Sequence, residues 1–307
     1  MTPAAVGIDV GGTKCLGVAV DANGSVLREL KVPTPNDVDQ LVSTLASIAQ
    51  QLDAPGSVGI GVPGLVNRDG VLLAAPNVTA VRKLPLRQRV QQASGLKVFV
   101  DNDNTVACLA EWRYGAGRGC DDFVLVGLGT GIGGGFVSGG ALQRGHHGFA
   151  GEFGHMIVQP HGLPCPCGQR GCWERYASGN GLAHLARQAA LAGELDAIVA
   201  TAGSVEAIRG EHVTDAAIAG DAQALAVIDV FADWVALGLV NLTNAFDPGT
   251  IVISGGLSAD PDLFLPPIAA SYRANLFASD LRPHPELKFA ELGPLAGGIG
   301  AALLTQL

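Results

Sequence analysis

The strongest chemical signal in the chain comes from four residues in one short stretch: His155, Cys165, Cys167 and Cys172. Three thiolates and one imidazole make a closed tetrahedral set for Zn²⁺. Pro164, Pro166, Gly168 and Gly171 would let the backbone wrap a single ion. The alternative is three free thiols in a core loop. A zinc ion whose four positions are all taken by protein shapes a loop and does no chemistry. Cys15, Cys108 and Cys120 stand singly and read as small buried apolar residues. One tight cluster among scattered cysteines points to a metal site in a cytoplasmic chain, not to a disulfide set. Glu152 and Glu174 flank the cluster and are not needed as ligands. They are free to bond neutral hydroxyls, as carboxylates do in sugar pockets, or to stand as ordinary surface charges.

Two glycine-rich stretches carry a different chemistry. In Asp9-Val10-Gly11-Gly12-Thr13-Lys14, bare backbone can bring N–H groups close to phosphate oxygens. Thr13 and Lys14 add donors and a cation, and Asp9 could hold a hydrated Mg²⁺. A plain tight hairpin is the other reading. Gly129-Thr130-Gly131-Ile132-Gly133-Gly134-Gly135 concentrates five glycines in seven positions, an entropic cost that something must require. That something is phosphate binding or a crowded crossing of the sheet. Gly255-Gly256, after a buried strand, adds a weaker nucleotide-edge signal. Asp101-Asn102-Asp103-Asn104 lies where a strand hands over to a helix. One of these residues caps the helix. A carboxylate at a helix N-terminus stays ionised and can accept a proton from a substrate hydroxyl, the role assigned to Asp103.

Alternating strands and helices must position these groups. Val6 to Val10 reads as a strand, Gly11-Gly12 as a turn, and Thr13 to Val20 as a second strand. A glycine pair that joins two strands excludes a Rossmann or Walker loop, which must open a helix. Val38, Leu41, Val42, Leu45 and Ile48 are spaced as one face of a helix over 37–52. Ser57 to Val62 and Leu96 to Val100 read as strands, and Leu86 to Ala93 and Thr105 to Tyr114 as helices. The opening layout then restarts with a strand at Asp122 to Leu128 and the second glycine turn, which suggests an internal duplication. Helical tracts follow over 180–200 and 221–245, a buried strand at Thr250 to Ser254, and a terminal helix at Leu295 to Leu307. The expected division is residues 1–117 for one α/β domain, with the helix at about 295–307 returning to it, and 118–294 for a second that carries the zinc loop. Gly115 to Gly119 is the expected hinge.

The 307 residues are 48% hydrophobic and 15% charged, enough apolar material for a core and unlike a disordered chain. The net charge of −9 disfavours nucleic acid as a partner. No basic N-terminal run or uninterrupted apolar stretch suggests a targeting or membrane-spanning segment.

Taken together, these motifs resemble the ROK family of sugar kinases, in the sugar kinase, heat-shock-protein and actin superfamily. Asp9 to Lys14 and Gly129 to Gly135 are similar to its two phosphate motifs. Asn102-Asp103 is similar to the start of its Asn-Asp-Ala-Asn segment, with Asn104-Thr105 standing where Ala-Asn is usual. Gly151 to His155 and Cys165 to Glu174 are similar to its signature and zinc motif, and Ile253 to Gly256 to its adenosine-side motif.

The resemblance implies two duplicated actin-like (ribonuclease H-like) α/β domains with a cleft between them and a structural zinc loop. It implies ATP-dependent phosphorylation of the 6-hydroxyl of a hexose, with Asp103 as base. Asn77, Asn102, Glu152, His155 and Glu174 would orient the sugar. Thr13, Lys14, Thr130, Gly131, Gly133, Gly11, Gly12, Gly255 and Gly256 would hold the nucleotide, with Asp9 near Mg²⁺. His155 would use one ring nitrogen for zinc and the other for sugar. Glucose is the first hexose implied, because Cys172 to Gly179 is similar to the segment of glucose-phosphorylating members. N-acetylmannosamine or fructose is the alternative, since Ala80-Val81-Arg82 stands where many glucose-specific members carry an aromatic residue. A homodimer or homotetramer is implied. Regulatory members carry a DNA-binding winged helix of about 60–80 residues ahead of the first phosphate motif. That motif begins here at Asp9, so the expectation is an enzyme and not a sugar-sensing regulator.

Overall fold

Runs of β-branched residues bounded by glycine build the strands of an α/β fold with mixed sheets. It is seen in a computed structural model that describes residues 2–75 and 82–307. The chain opens with an antiparallel meander of β1 (Ala5–Val10), β2 (Lys14–Val20) and β3 (Val26–Pro33). Helix α1 (Val38–Gln51) follows, capped by the Asp37 carboxylate, which accepts from the Gln40 amide. Its Leu41, Val42, Leu45 and Ile48 are buried, as the spacing requires. Next come β4 (Ser57–Val62), a small ribbon of β5 (Leu65–Val66), β6 (Leu72–Ala74) and β7 (Arg82–Leu84), then α2 (Leu86–Ser94), β8 (Lys97–Asn102) and α3 (Asp103–Tyr114). The first sheet has the order β3-β2-β1-β4-β8, with β1, β4 and β8 parallel.

The pattern restarts with β9 (Phe123–Leu128), β10 (Ile132–Ser138) and β11 (Ala141–Gln143). Helices α4 (Glu174–Ala177), α5 (Gly179–Leu191), α6 (Asp196–Ala202), α7 (Gly210–Ile218) and α8 (Ala222–Phe246) follow. The chain then forms β12 (Thr250–Gly255), α9 (Pro261–Asn275), β13 (Glu286–Phe289) and α10 (Ala296–Leu303). The second sheet has the order β11-β10-β9-β12-β13. Place for place this is the order of the first sheet, and it bears out the duplication read from the two glycine turns. Two sequence expectations need correction. The helical tract over 180–200 is broken after Leu191, where Gly193 and Leu195 adopt left-handed φ values of 87° and 64°. The second glycine turn is shorter than expected, because β10 already begins at Ile132.

Contacts group the chain into two units. Unit 1 comprises Met1–Leu125, Gly135–Gly151 and Glu291–Leu307, and unit 2 comprises Val126–Gly134 and Glu152–Ala290. In unit 1, α10 lies against α3, β1 and β4. The approach is backbone to backbone: a Cβ on Gly59 would collide with the Ala301 carbonyl. The stretch Gly115 to Gly119, expected as a hinge, is pinned. The fully buried Glu111 carboxylate accepts from the Ala116 amide at 2.9 Å, and also from the Glu291 and Leu292 amides at 3.2 and 2.8 Å. In unit 2, α8 is long and apolar enough to cross a membrane by length and composition. Val227, Phe231, Val235 and Leu239 are buried on it, and α5, α7 and α9 pack against it, as expected for a core helix.

Candidate active site

The zinc donors converge within unit 2. One ligand atom from each of His155, Cys165, Cys167 and Cys172 lies within 4.8 Å of the others. The Cys167 and Cys172 sulfurs are 3.6 Å apart, and Cys165 Sγ is 4.0 Å from His155 Nδ1. Zn–S and Zn–N bonds of about 2.3 and 2.0 Å put neighbouring ligand atoms of a tetrahedron about 3.5–3.8 Å apart, so the set fits Zn²⁺. The loop is closed by the Cys165 amide donating to Gln169 O at 2.9 Å and by the Gly171 amide donating to Leu163 O at 2.8 Å. With Nδ1 facing the thiols, His155 Nε2 lies on the side of Glu152, whose Oε2 is 4.0 Å away.

Glu174 sits closer to the metal donors than its sequence position suggests. Its Oε1 is 3.0 Å from Cys165 Sγ and 3.7 Å from His155 Nδ1. Its Oε2 would meet a Cβ placed on Gly131. One carboxylate therefore touches both the zinc cluster and the second glycine turn.

That turn is gathered at the C-terminal ends of β9 and β12, where ligands of α/β sheets bind. The Gly129 amide donates to Gly131 O at 3.0 Å, and Gly129 O accepts from the Gly179 amide, at the start of α5, at 2.8 Å. Gly255, at φ 95°, lies against Leu128 O so closely that any side chain there would clash. Gly255 is thus brought against the start of the turn that carries Thr130 and Gly131. Gly133 is not part of the turn, being inside β10. For Gly135 the crowded-crossing reading holds, since a Cβ would run into Cys108 on α3. Sequence reasoning missed Asn180, whose Nδ2 donates to Thr130 O at 2.8 Å. The Ser178 cap just before it was the available signal, with its hydroxyl accepting from Gly181 N.

In unit 1 the first turn leaves Gly12, Thr13 and Lys14 exposed. It is closed by the Gly11 amide on Lys14 O at 2.9 Å and braced by Thr34, whose hydroxyl donates to Gly11 O at 2.8 Å. Thr34 lies too far along the chain for local spacing to reveal it. Behind the turn stand two carboxylates. Burial pushes Asp9 up to about 7, the Asp103 charge adds to the rise, and Lys14 opposes it. A Cβ on Gly297, at the start of α10, would strike the Asp9 carboxylate. A half-buried carboxylate, repelled by a second one and offset by Lys14, is a fitting ligand for Mg²⁺.

Asp103 is the first residue of α3. Asn102 is the cap, its side-chain oxygen accepting from the Asn104 and Thr105 amides at 2.9 and 3.1 Å. Burial raises Asp103 as well, against hydrogen bonds from the Asn104 backbone and side chain that favour its charge. Next to them, the buried Asp101 is paired with Arg144 at 2.7 Å. Burial raises Asp101, and the Arg144 charge opposes it. Asn77 lies outside the described residues.

The comparisons agree with these motifs. Over 308 residues the chain is 40% identical to a glucokinase of Streptomyces coelicolor, covering 98% of this chain and 97% of that one. It is 33% identical to an N-acetylmannosamine kinase of Escherichia coli, over 97% of each. A crystal structure of a ROK family glucokinase from Streptomyces griseus, in complex with glucose and AMPPNP, matches with a TM-score of 0.87 and 40% identity, over 98% of both chains. Residues 5–307 match the pattern of the ROK family, and with full-length relatives at this identity the chain belongs to that family.

Proposed function

We propose that this chain is an ATP-dependent glucokinase acting in the cytoplasm, converting glucose and ATP to glucose 6-phosphate and ADP. The observation that carries the reading is the half-buried Asp103 at the start of α3, in a chain 40% identical over its length to the Streptomyces coelicolor glucokinase.

Asp103 takes the proton from the sugar's 6-hydroxyl as that oxygen bonds to the γ-phosphorus, and the bond from the γ-phosphorus to the bridging oxygen breaks to release ADP. Its charge is supported by the two donors of Asn104. Asn102, Glu152, His155 and Glu174 hold the remaining hexose hydroxyls. For His155, the direction of Nδ1 toward the thiols supports a division in which Nδ1 ligates zinc and Nε2 meets the sugar. Gly11, Gly12, Thr13 and Lys14 contact phosphates from one turn, and Thr130 and Gly131 from the other, beside Gly255 and Gly256. Asp9 would hold Mg²⁺, whose charge would offset that of the phosphates. The structural Zn²⁺ fixes the loop that carries His155 and leads into Glu174.

N-acetylmannosamine is the second reading, at 33% identity to the Escherichia coli kinase against 40% to the Streptomyces coelicolor glucokinase. A homodimer or homotetramer fits the large exposed apolar residues of unit 2, Phe277 at 78% and Leu281 at 88% exposure. A coupled assay of ADP release over glucose, N-acetylmannosamine and fructose, with ATP and with polyphosphate, tests the reading. Glucose with ATP is expected to give the highest kcat/KM. A higher value for N-acetylmannosamine would reassign the sugar, and no turnover with any pair would make the chain a sugar sensor. Light scattering reads the assembly.

A further inference from the structure

Asn104 is the residue after the base, and its type departs from the Ala usual in the motif. Both of its nitrogens reach Asp103, the backbone amide being shared with Asn102 Oδ1 and the side-chain nitrogen going to Asp103. The backbone amide donates to Asp103 Oδ1 at 2.9 Å, and the side-chain Nδ2 donates to the same oxygen at 3.0 Å. A carboxylate only accepts, so it is the amide nitrogen of Asn104 that must face it. The side chain is not needed to cap α3. Asn102 already does that, receiving the Asn104 and Thr105 amides on its own oxygen. What the Asn104 side chain adds is a second donor on one carboxylate oxygen from a second direction, which fixes the rotation of the carboxylate.

We infer that Asn104 is a positioning residue for the phosphoryl transfer: by tying Oδ1 of Asp103 to the first turn of α3, it presents Oδ2 as the oxygen that receives the sugar's proton. The inference rests on the reading of Asp103 as the base. A proton acceptor must sit within hydrogen-bond reach of the hydroxyl and in one orientation, and small misplacements cost rate far more than binding. The lock therefore acts on kcat and leaves the sugar and nucleotide affinities alone. Its neighbour Asn102 also bonds the Asp103 carboxylate, but that side chain is held in place as the cap of α3. Asn102 Nδ2 donates to Gly64 O at 3.2 Å, and Thr105 is buried.

The test compares Asn104→Ala, Asn104→Asp and Asp103→Asn by steady-state kinetics, glucose titration and thermal melting of the full chain. Asn104→Ala is expected to lower kcat about tenfold, with KM for glucose and ATP within about twofold of wild type. Asn104→Asp keeps the outline of the side chain and places an acid in the first helical turn, where the dipole tolerates it. Its melting point is expected near wild type, while kcat falls further than in the alanine variant, because a donor has become a repelling acceptor. A merely structural side chain would move melting and kinetics together. Wild-type kcat in Asn104→Ala, with Asp103→Asn inactive, overturns this inference and leaves the base in place. A rise in glucose KM matching the fall in kcat also overturns it, since Asn104 would then be binding sugar directly. Wild-type turnover in Asp103→Asn removes the reading beneath it.

Discussion

The two glycine turns occupy the same place in two sheets of identical strand order, yet what surrounds them differs. Around the turn of unit 1 stand carboxylates: Asp9 and Asp103, with Asn102 and Asn104 directed at the helix end and the base. Around the turn of unit 2 stand mostly neutral groups, the Gly179 amide, the Asn180 side chain and the bare backbone of Gly255, and a single carboxylate, Glu174, reaches it from the zinc loop. A duplicated scaffold has kept its backbone geometry and divided its chemistry. On the proposed function, the copy with two carboxylates would supply the proton acceptor and the cation site, and the other would offer dipoles suited to a polyanion.

The sharpest way to break that division is at its charged end. Asp103→Asn is expected to lower kcat about a thousandfold while glucose still binds, measured by initial rates and titration. A loss below about tenfold would move the proton acceptor elsewhere. Next in size is Cys172→Ser, at the fully buried cysteine of the cluster. It is expected to release the metal and weaken glucose binding about 10–100-fold, read by elemental analysis and titration. Because Glu174 also approaches Gly131, a parallel loss of nucleotide affinity would show that the zinc loop serves the nucleotide as well as the sugar. Retention of one zinc would overturn the ligand set.

A smaller effect concerns stability. Asp9 has its folded pKa raised from 3.8 to about 7, so between those values the folded chain holds a proton that the unfolded chain has lost. Stability must therefore fall as pH rises through that window. Asp9→Asn removes the penalty. In denaturant titrations without divalent cations, the variant is expected to gain about 1–2 kcal/mol over wild type at pH 8 relative to pH 4, discounted for solvent screening. An unchanged difference across that range would mean that Asp9 is not strained. The smallest effect is expected at Asn180→Ala in unit 2. Loss of one neutral hydrogen bond should raise the ATP KM about fivefold with kcat nearly unchanged. A collapse of kcat there would contradict the division itself.

What could be read from the sequence was what depends on residue type over short range. Three cysteines and a histidine within one loop announce a metal, and Asp103 after a strand announces a helix start whichever tertiary partners it has. The outlines of β1, α1 and β4 followed from apolar patterning, and that of α3 from the capping residues before it. Strand β3 was not legible, because as an edge strand it exposes Arg28, Glu29 and Lys31 and shows little apolar alternation. Helix α9 was hidden by Pro266 and Pro267 within it. Thr34 and Arg144 could not be foreseen, since each acts on a partner more than 20 residues away, and only tertiary structure brings such pairs together. The glycines of 129–135 misled by uniformity: some close a turn and one clears Cys108, and composition cannot tell those demands apart.

The return of α10 to unit 1 has a consequence for how the protein is made. Gly59 leaves room for the Ala301 carbonyl, and Glu111 waits for the amides of Glu291 and Leu292. Until those residues leave the ribosome, the first half of the nascent polypeptide has an uncovered apolar floor and a sequestered carboxylate lacking two of its donors. The N-terminal half therefore lacks part of its core until α10 has been made and has folded back, and until then it exposes apolar surface of the kind that favours aggregation.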